Sequence, residues 1–328
     1  MLSRSRKFRT NKQILIGLLM VGTFVVVALI APWLAPQPDP TDTSPFKITG
    51  QQFQRLPGPP TAESPLGTTP QIRNMPLYGL KPGQDSSYQW DVYYTLIWGT
   101  RSALYFGLLV TFLTAMIGIT IGTVSGYLGG TAEYLMMRVT DAFLAFPAIA
   151  AIWLFQRVFF GNLFDPFMDY DQLSWWELTL ERARIDPVML TLIVFSWMPY
   201  ARLMNNMVSQ IKKNEYVQAA KVMGASGWHI ILQHLLPNSI SPTVVLAARD
   251  VGVMVILACA FIFIGFGGRV AWGIMLVTSR DFVIGYGGNP FVYWWSFVPI
   301  SLALILFSMG WNFLGDGLND ALNPHRRY

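Results

Sequence analysis

Residues 102–128 read SALYFGLLVTFLTAMIGITIGTVSGYL, an apolar run that contains no Asp, Glu, Lys or Arg. An α-helix rises about 1.5 Å per residue, so about 20 such residues cross the roughly 30 Å hydrocarbon core of a bilayer. The run is therefore long enough to span a membrane, and it predicts a transmembrane helix.

Five other apolar runs of comparable length accompany it. The predicted spans cover residues 14–35, 102–128, 135–160, 188–211, 242–266 and 293–314. Of the 328 residues, 53% are hydrophobic and 12% are charged, about half of the roughly 25% charge of a soluble domain. We therefore predict an all-α, polytopic membrane protein with six transmembrane helices, which excludes a soluble globular enzyme. The first run exceeds the roughly 7–15 apolar residues of a cleaved signal and should be retained.

The distribution of Lys and Arg predicts the orientation of the spans. The first 13 residues hold five basic groups and no acid, and the segment 211–239 holds three lysines against one acid. Residues 161–187 hold six acids against two arginines. Because basic loops stay on the cytoplasmic side, both termini are expected there and 161–187 outside. This alternation predicts a multi-pass membrane protein, and the resemblance described below implies the bacterial inner membrane.

These assignments divide the chain into four regions. Residues 1–35 form a cytoplasmic tail and the first helix, and residues 36–99, rich in Pro and Gly, form an external loop region. Residues 100–320 form a core of five helices that includes a short helix at about 214–225, and residues 321–328 form a cytoplasmic tail.

Several kinds of chemistry have no signature in the sequence. There is no Gly-x-x-x-x-Gly-Lys-[Ser/Thr] loop for ATP and no His-Glu-x-x-His metal motif. The single Cys259 forms no multi-cysteine site, and the basic residues at the ends of the runs do not form a nucleic-acid surface. We expect no catalytic, cofactor or metal site, and no nucleic-acid partner.

The segment between the fourth and fifth spans, residues 212–238, reads KKNEYVQAAKVMGASGWHIILQHLLPN. Asn214 is expected to cap a helix and Gly224 to stop it in a left-handed conformation. Ser226 should cap a second short helix that Pro237 breaks. One reading is an ordinary helical polar loop. The other is a rigid lever that a soluble partner pushes, which the small side chains of this helix favour because they permit close approach.

Gln218-Ala219-Ala220-x-x-x-Gly224, followed by His234-Leu235-Leu236-Pro237-Asn238, resembles the "EAA" loop of bacterial ABC importer permeases. The coupling helix of that family docks in a groove of the ATPase subunit. Other motifs resemble the C-type permease of oligopeptide, dipeptide and nickel importers in family order: Ser64-Pro-Leu-Gly-Thr68, Trp98-Gly-Thr-Arg101, Gly126-Tyr-Leu-Gly-Gly130, Arg138-x-x-Asp141-x-x-x-x-Phe146-Pro147, Pro199-Tyr-Ala-Arg202, Gly265-Phe-Gly267, Ala271-Trp-Gly273 and Leu314-Gly-Asp-Gly-Leu-Asn-Asp-Ala-Leu-Asn-Pro324.

The resemblance implies the type I importer permease fold and a set of partners. These are a second permease that forms a heterodimer, two cytoplasmic ATPases that bind the ATP, and an external solute-binding protein. Residues assigned to ATPase coupling by the resemblance are Glu215, Gln218, Ala219, Ala220, Gly224, Leu236 and Pro237. Two departures are evident, since the family usually has a glutamate at Gln218 and an acid at Cys259. Peptides, nickel chelates and other small solutes remain open as cargo.

Charged residues and prolines within the spans need a reason, because a charge at the bilayer centre costs about 2.5–3.5 kcal/mol. Arg138 and Asp141 are three residues apart on one helix and are predicted to pair as a structural clamp. Arg249 and Asp250 are adjacent and should point in different directions, so one of them is a candidate for lining the path.

Pro147 and Pro199 should kink their helices. The kinks serve either packing or gating.

Two other functional classes are weighed against the permease subunit. A self-sufficient secondary transporter should carry intramembrane acids placed for proton or sodium coupling. An integral membrane enzyme should carry a catalytic constellation, and none is found in the sequence.

Overall fold

A computed structural model describes residues 12–36, 56–70, 89–160, 175–182, 185–284, 289 and 291–322. The N-terminal basic cluster, most of the two predicted external loops and the C-terminal arginines lie outside the described residues. The helices of the described part are α1 (Lys12–Leu34), α2 (Val92–Leu128), α3 (Gly130–Ala145), α4 (Ala148–Phe160), α5 (Trp175–Arg182), α6 (Pro187–Phe195), α7 (Met198–Ile211), α8 (Glu215–Val222), α9 (Gly227–Ile230), α10 (Leu236–Ile264), α11 (Ala271–Ile284) and α12 (Val298–Leu322).

The predicted all-α class is confirmed over these residues. Five helical stretches are long and apolar enough to cross a membrane: Lys12–Leu34, Val92–Leu128, Pro187–Ile211, Gly227–Ile264 and Trp294–Leu322. The remaining predicted span, residues 135–160, corresponds to Gly130–Ala145 and Ile149–Phe160, which are bent by 92° at Pro147. The described residues therefore hold five candidate spans and one sharply bent pair of helices.

The bundle is organised around α2, which packs against α7, α10 and α1, while α12 packs against α10 and α1. Glycines allow the closest approach. A Cβ added at Gly118 would clash with Cβ of Tyr200, and one at Gly122 would clash with the main-chain oxygen of Ala201. Because these two glycines are four residues apart on α2, they lie on one helix face. The backbone of α7 packs directly against this face.

The entry into the fifth span differs from the prediction. Pro237 was expected to break a short helix, with the span opening at Pro242, but the helical path runs from Gly227 to Ile264. A π-turn at Ile231–Leu235 makes this possible. There the amide of Leu236 reaches back to the oxygen of Ile231, so the helix widens next to Pro237, which has no N–H to donate. Pro242 then lies inside α10.

Helix α11 was not predicted. It follows the turn at Gly265, Gly267 and Gly268, all of which have positive φ, and it buries Trp272 and Met275 completely. Only 14 residues long and interrupted by charges near its end, it is too short to read as a span. Helix α2 also begins at Val92, within the region predicted as external loop.

Candidate functional site

The short helix predicted near 214–225 is present as α8, Glu215–Val222. Asn214 has the extended conformation of an N-cap, although its side chain makes no capping hydrogen bond. Gly224 has φ +85°, the left-handed conformation expected from the sequence. Its N–H donates to the oxygen of Lys221 at 3.1 Å, and the next amide, of Ala225, donates to Ala220 at 3.1 Å. The helix thus ends in a turn whose backbone favours glycine.

One face of α8 is anchored to the bundle. Val217 and Ala220 are buried, and Val217 belongs to an apolar cluster with Met204 and Val208 of α7 and with Ile230 and Leu235 after the turn. This apolar packing makes α8 part of the same rigid unit as α7 and the start of α10.

The second short helix begins as predicted. Ser226 accepts a hydrogen bond from the amide of His229 at 3.3 Å and so caps α9.

Polar contacts fix the position of α8 further. Nε2 of Gln218 donates to the main-chain oxygen of Lys212 at 2.8 Å. Nζ of Lys212 in turn donates to the oxygens of Gly126 and Tyr127, at 3.1 and 2.9 Å. These two carbonyls belong to the last turn of α2, where a cation is favoured by the helix dipole. Hydrogen bonds therefore connect Gln218 to Lys212, and Lys212 to the end of α2.

The outward face of the same region is apolar. Val222 is 87% exposed, Met223 81% and Trp228 69%, and Tyr216 and Leu232 are also exposed. An exposed apolar patch of this kind on a rigid element marks a contact surface for another protein or a membrane. The small residues of α8 are evident from the sequence and this patch is not predicted there, although Val-Met before a glycine and Trp in a polar loop are signals for it.

The residues assigned to coupling by resemblance fall on both faces of this region. Glu215, Gln218 and Ala219 are exposed on α8, Ala220 is buried beneath them, and Gly224 is exposed at the turn. Leu236 and Pro237 lie beyond the π-turn, where Leu236 is half-buried and Pro237 is exposed.

The predicted pairing of Arg138 with Asp141 is wrong. Asp141 instead accepts hydrogen bonds from Nε of Arg202 on α7, at 2.9 Å, and from Nη2 of the same guanidinium. The guanidinium of Arg138 lies over the ring of Tyr134, 4.9 Å from its centroid. The spacing along α3 makes Arg138 a feasible partner of Asp141, but α7 crosses beside α3 and supplies Arg202 instead. The ion pair therefore ties two helices together.

Arg249 and Asp250 point in different directions, as predicted. The guanidinium of Arg249 pairs with the carboxylate of Asp316 on α12, where Gly315 leaves room for the Arg249 side chain. Asp250 faces the other way, and its Oδ2 accepts a hydrogen bond of 2.6 Å from the hydroxyl of the buried Tyr200. Only Asp250 of the two therefore remains a candidate for lining a path.

Both prolines lie at helix breaks. Helix α3 ends at Ala145 before Pro147, and α6 ends at Phe195 before α7 begins at Met198, which places Pro199 in the first turn of α7. A cavity of about 300 Å³ lies between the two breaks. Its walls include Phe146, Ser196, Pro199 and Asp250, and its remaining lining is apolar. The structure thus brings Pro199 and Asp250 into one cavity and leaves Arg249 outside it.

Within the described residues, no group of three or more His, Cys, Asp or Glu side chains is placed to hold a metal ion. Apolar helices interrupted around a cavity, joined at one end of the bundle to a rigid element with an exposed apolar face, define a multi-pass membrane transport subunit.

The chain belongs to the family of binding-protein-dependent transport system inner membrane components, whose model matches residues 118–328. Residues 4–55 match the N-terminal transmembrane domain of oligopeptide transport permease C.

Curated relatives agree with this family. The dipeptide transport system permease protein of Alkalihalophilus pseudofirmus is 27% identical over 97% of this chain and 88% of its own length. The oligopeptide transport system permease protein of Bacillus subtilis is 24% identical over 98% of this chain and 88% of its own. The glutathione transport system permease protein of Pectobacterium atrosepticum is 32% identical over 71% and 69% respectively. The chain is accordingly a permease subunit of the inner membrane.

Proposed function

We propose that this chain is one of two permease subunits of an ATP-driven importer for peptides or similar small solutes. The observation that carries the proposal is the combination of α8, a helix anchored on one face by Val217 and Ala220, with the apolar patch of Val222, Met223 and Trp228 on its other side. In a member of this family, we expect an ATPase subunit to bind to that patch. The names of the relatives support peptides as the cargo class.

The chain would contribute motion rather than covalent chemistry. ATP is bound by two separate cytoplasmic subunits, and their closure displaces α8. Because α8 is packed on α7 and linked through Gln218 and Lys212 to the end of α2, its displacement moves these helices together. The breaks before Pro147 and Pro199 allow the spans around the cavity to switch between inward-open and outward-open arrangements, whose populations the nucleotide shifts.

The remaining partners follow from the same proposal. The ion pair of Asp141 and Arg202 has side chains 35% and 51% exposed in the isolated chain, and such groups in a membrane need water or protein around them. A second permease that completes the path would cover this face. An external solute-binding protein delivers the solute, the termini and α8 lie in the cytoplasm, and this subunit has no enzymatic activity of its own.

Reconstitution tests the proposal. The purified permease pair, with its ATPases and binding protein in proteoliposomes, should accumulate a labelled dipeptide only when ATP is supplied on the α8 side. A secondary transporter would instead accumulate the dipeptide without any ATPase when a proton or sodium gradient is imposed. Gradient-driven uptake by this chain alone would therefore overturn the proposal.

A further inference from the structure

Asp250 lies within a candidate span and forms no ion pair in the described part of the chain. Asp141 and Asp316 each face an arginine, whereas no Lys, Arg or His forms an ion pair with Asp250 anywhere in the described part of the chain. Its one hydrogen bond there comes from Tyr200. A carboxylate in a membrane span is costly unless it is paired or functional, so an unpaired one that opens into a cavity indicates a ligand contact.

The cavity around Asp250 has the character of a ligand site. Its volume of about 300 Å³ is at the lower end of the roughly 300–1,000 Å³ range of small-molecule pockets. Apart from Asp250 and Ser196, the walls are formed by apolar side chains from the helices on either side of the two breaks and from α10, among them Phe146, Ile149, Leu192, Phe195, Pro199 and Met254. Such a cavity accepts an apolar group beside one positive charge.

Tyr200 holds the carboxylate in place. Its ring is completely buried, and its hydroxyl donates to Oδ2 at 2.6 Å. This leaves Oδ1 without a hydrogen bond in the described structure, so Oδ1 is the oxygen available to a ligand. Because Tyr200 fixes the orientation of the carboxylate through Oδ2, less conformational entropy is lost when a ligand binds to Oδ1.

We propose that Asp250, positioned by Tyr200, is a cation subsite that receives the ammonium group of an amine-bearing solute, while the apolar wall contacts the neighbouring side chain of that solute. This inference rests on the proposed importer function and refines its cargo to solutes with a free, protonated amino group. Because the group received is the charged end of the solute, the importer discriminates against cargo whose amine is blocked.

The test compares leucyl-leucine with N-acetyl-leucyl-leucine in ATP-driven uptake by the reconstituted importer. Asp250→Asn should lower uptake of the free-amine dipeptide about tenfold, as expected for loss of one charge-assisted contact. It should leave uptake of the acetylated dipeptide nearly unchanged. Because the binding protein is the same in every sample, its own preference cancels when the ratio of the two uptakes is compared between variants. Asp281→Asn, which neutralises an exposed acid on α11, is the matched control and should keep the wild-type ratio.

Two further variants keep the test decisive if Asp250→Asn fails to assemble. Asp250→Glu retains the charge and should retain the preference for the free amine, and Tyr200→Phe should weaken it. Binding of both dipeptides to the complex in nanodiscs, without the binding protein, provides a second measurement with the same expected order. An equal loss for both dipeptides, or an unchanged ratio, overturns the cation subsite and leaves the importer function standing. If the wild-type importer takes up neither dipeptide when ATP is supplied, the proposed importer function itself is overturned.

Discussion

Nε of Arg101 on α2 donates a hydrogen bond to the main-chain oxygen of Ala28 on α1. The helical partner of that oxygen would be the amide of residue 32, which is Pro32 and has no N–H. Arg101 therefore satisfies a carbonyl that the proline leaves open inside an apolar helix. The nearby Trp98 and Tyr93 similarly donate to the oxygens of Ala35 and Leu34, at 2.9 and 3.1 Å, so α2 caps the end of α1.

This relationship predicts an interaction between two substitutions. Arg101→Met should lower the free energy of unfolding by about 1–3 kcal/mol, because a buried acceptor is left unpaired. Pro32→Ala supplies an amide that can bond to the oxygen of Ala28, so the double variant should be less destabilised than Arg101→Met alone. The midpoint of thermal unfolding of the purified subunit in detergent measures this. Strictly additive effects would show that Pro32 and Arg101 do not share the oxygen of Ala28.

The ion pair between Asp141 and Arg202 predicts a second non-additive pair. Arg202→Gln leaves the carboxylate of Asp141 unpaired between α3 and α7, and Asp141→Asn leaves the guanidinium unpaired. Each single variant should therefore reduce the yield of folded protein more than the double variant does. Arg138→Gln is the matched control and should have a smaller effect, because Arg138 contacts the Tyr134 ring instead. Size-exclusion chromatography of the detergent extract gives the yields.

The contact of Gln218 predicts the effect of restoring the glutamate usual in the family. Gln218 donates to the oxygen of Lys212, and a glutamate carboxylate cannot donate. Gln218→Glu should therefore loosen α8 by about 0.5–1.5 kcal/mol and speed amide hydrogen exchange over Glu215–Val222. Lys221→Gln, an exposed change on the same helix, should leave the exchange unaltered. If Gln218→Glu exchanges as slowly as the wild type, the side-chain hydrogen bond contributes nothing to the order of α8.

The apolar patch and the left-handed turn predict which substitutions weaken ATPase association. Met223→Asp places a charge on the exposed patch and should reduce co-purification of the ATPase about tenfold or more. Gly224→Asp should reduce it as well, because φ +85° strains any residue with a Cβ and the added carboxylate lies beside the patch. Neither change should unfold the spans, since a Cβ at Gly224 meets no atom within 4 Å. Undiminished co-purification with both variants would remove the coupling assignment.

The sequence predicted features that depend on local chemistry and missed those that depend on neighbouring helices. The span of α2 and the left-handed Gly224 follow from composition and from the demands of a helix end. The partner of Asp141 could not be inferred, because Arg202 is distant along the chain and its proximity depends on how α7 crosses α3. The prediction that Pro237 breaks the helix is wrong for a similar reason, since the π-turn that accommodates it packs through Ile231 and Leu235 against α7 and α8.

The buried carboxyl of Asp186, just before α6, predicts a pH dependence of stability. Its Oδ1 accepts from the amide of Val188 at 2.8 Å and its Oδ2 accepts from the amide of Arg269 at 2.7 Å, which ties the start of α6 to the turn before α11. Burial raises the pKa of Asp186 above its ordinary value, despite the opposing effect of these hydrogen bonds and of the Arg269 charge.

The direction of the pH effect follows from linkage. A carboxyl whose pKa is higher in the folded than in the unfolded chain binds more protons when folded. Its contribution to stability is complete below the unfolded pKa of about 3.9 and is lost as pH rises through the raised folded pKa. The thermal midpoint of the wild type should therefore fall with rising pH over that window, and that of Asp186→Asn should fall less, because the amide does not titrate. Asp281→Asn should follow the wild-type curve. Equal slopes for wild type and Asp186→Asn would mean that the burial of Asp186 does not shift its protonation.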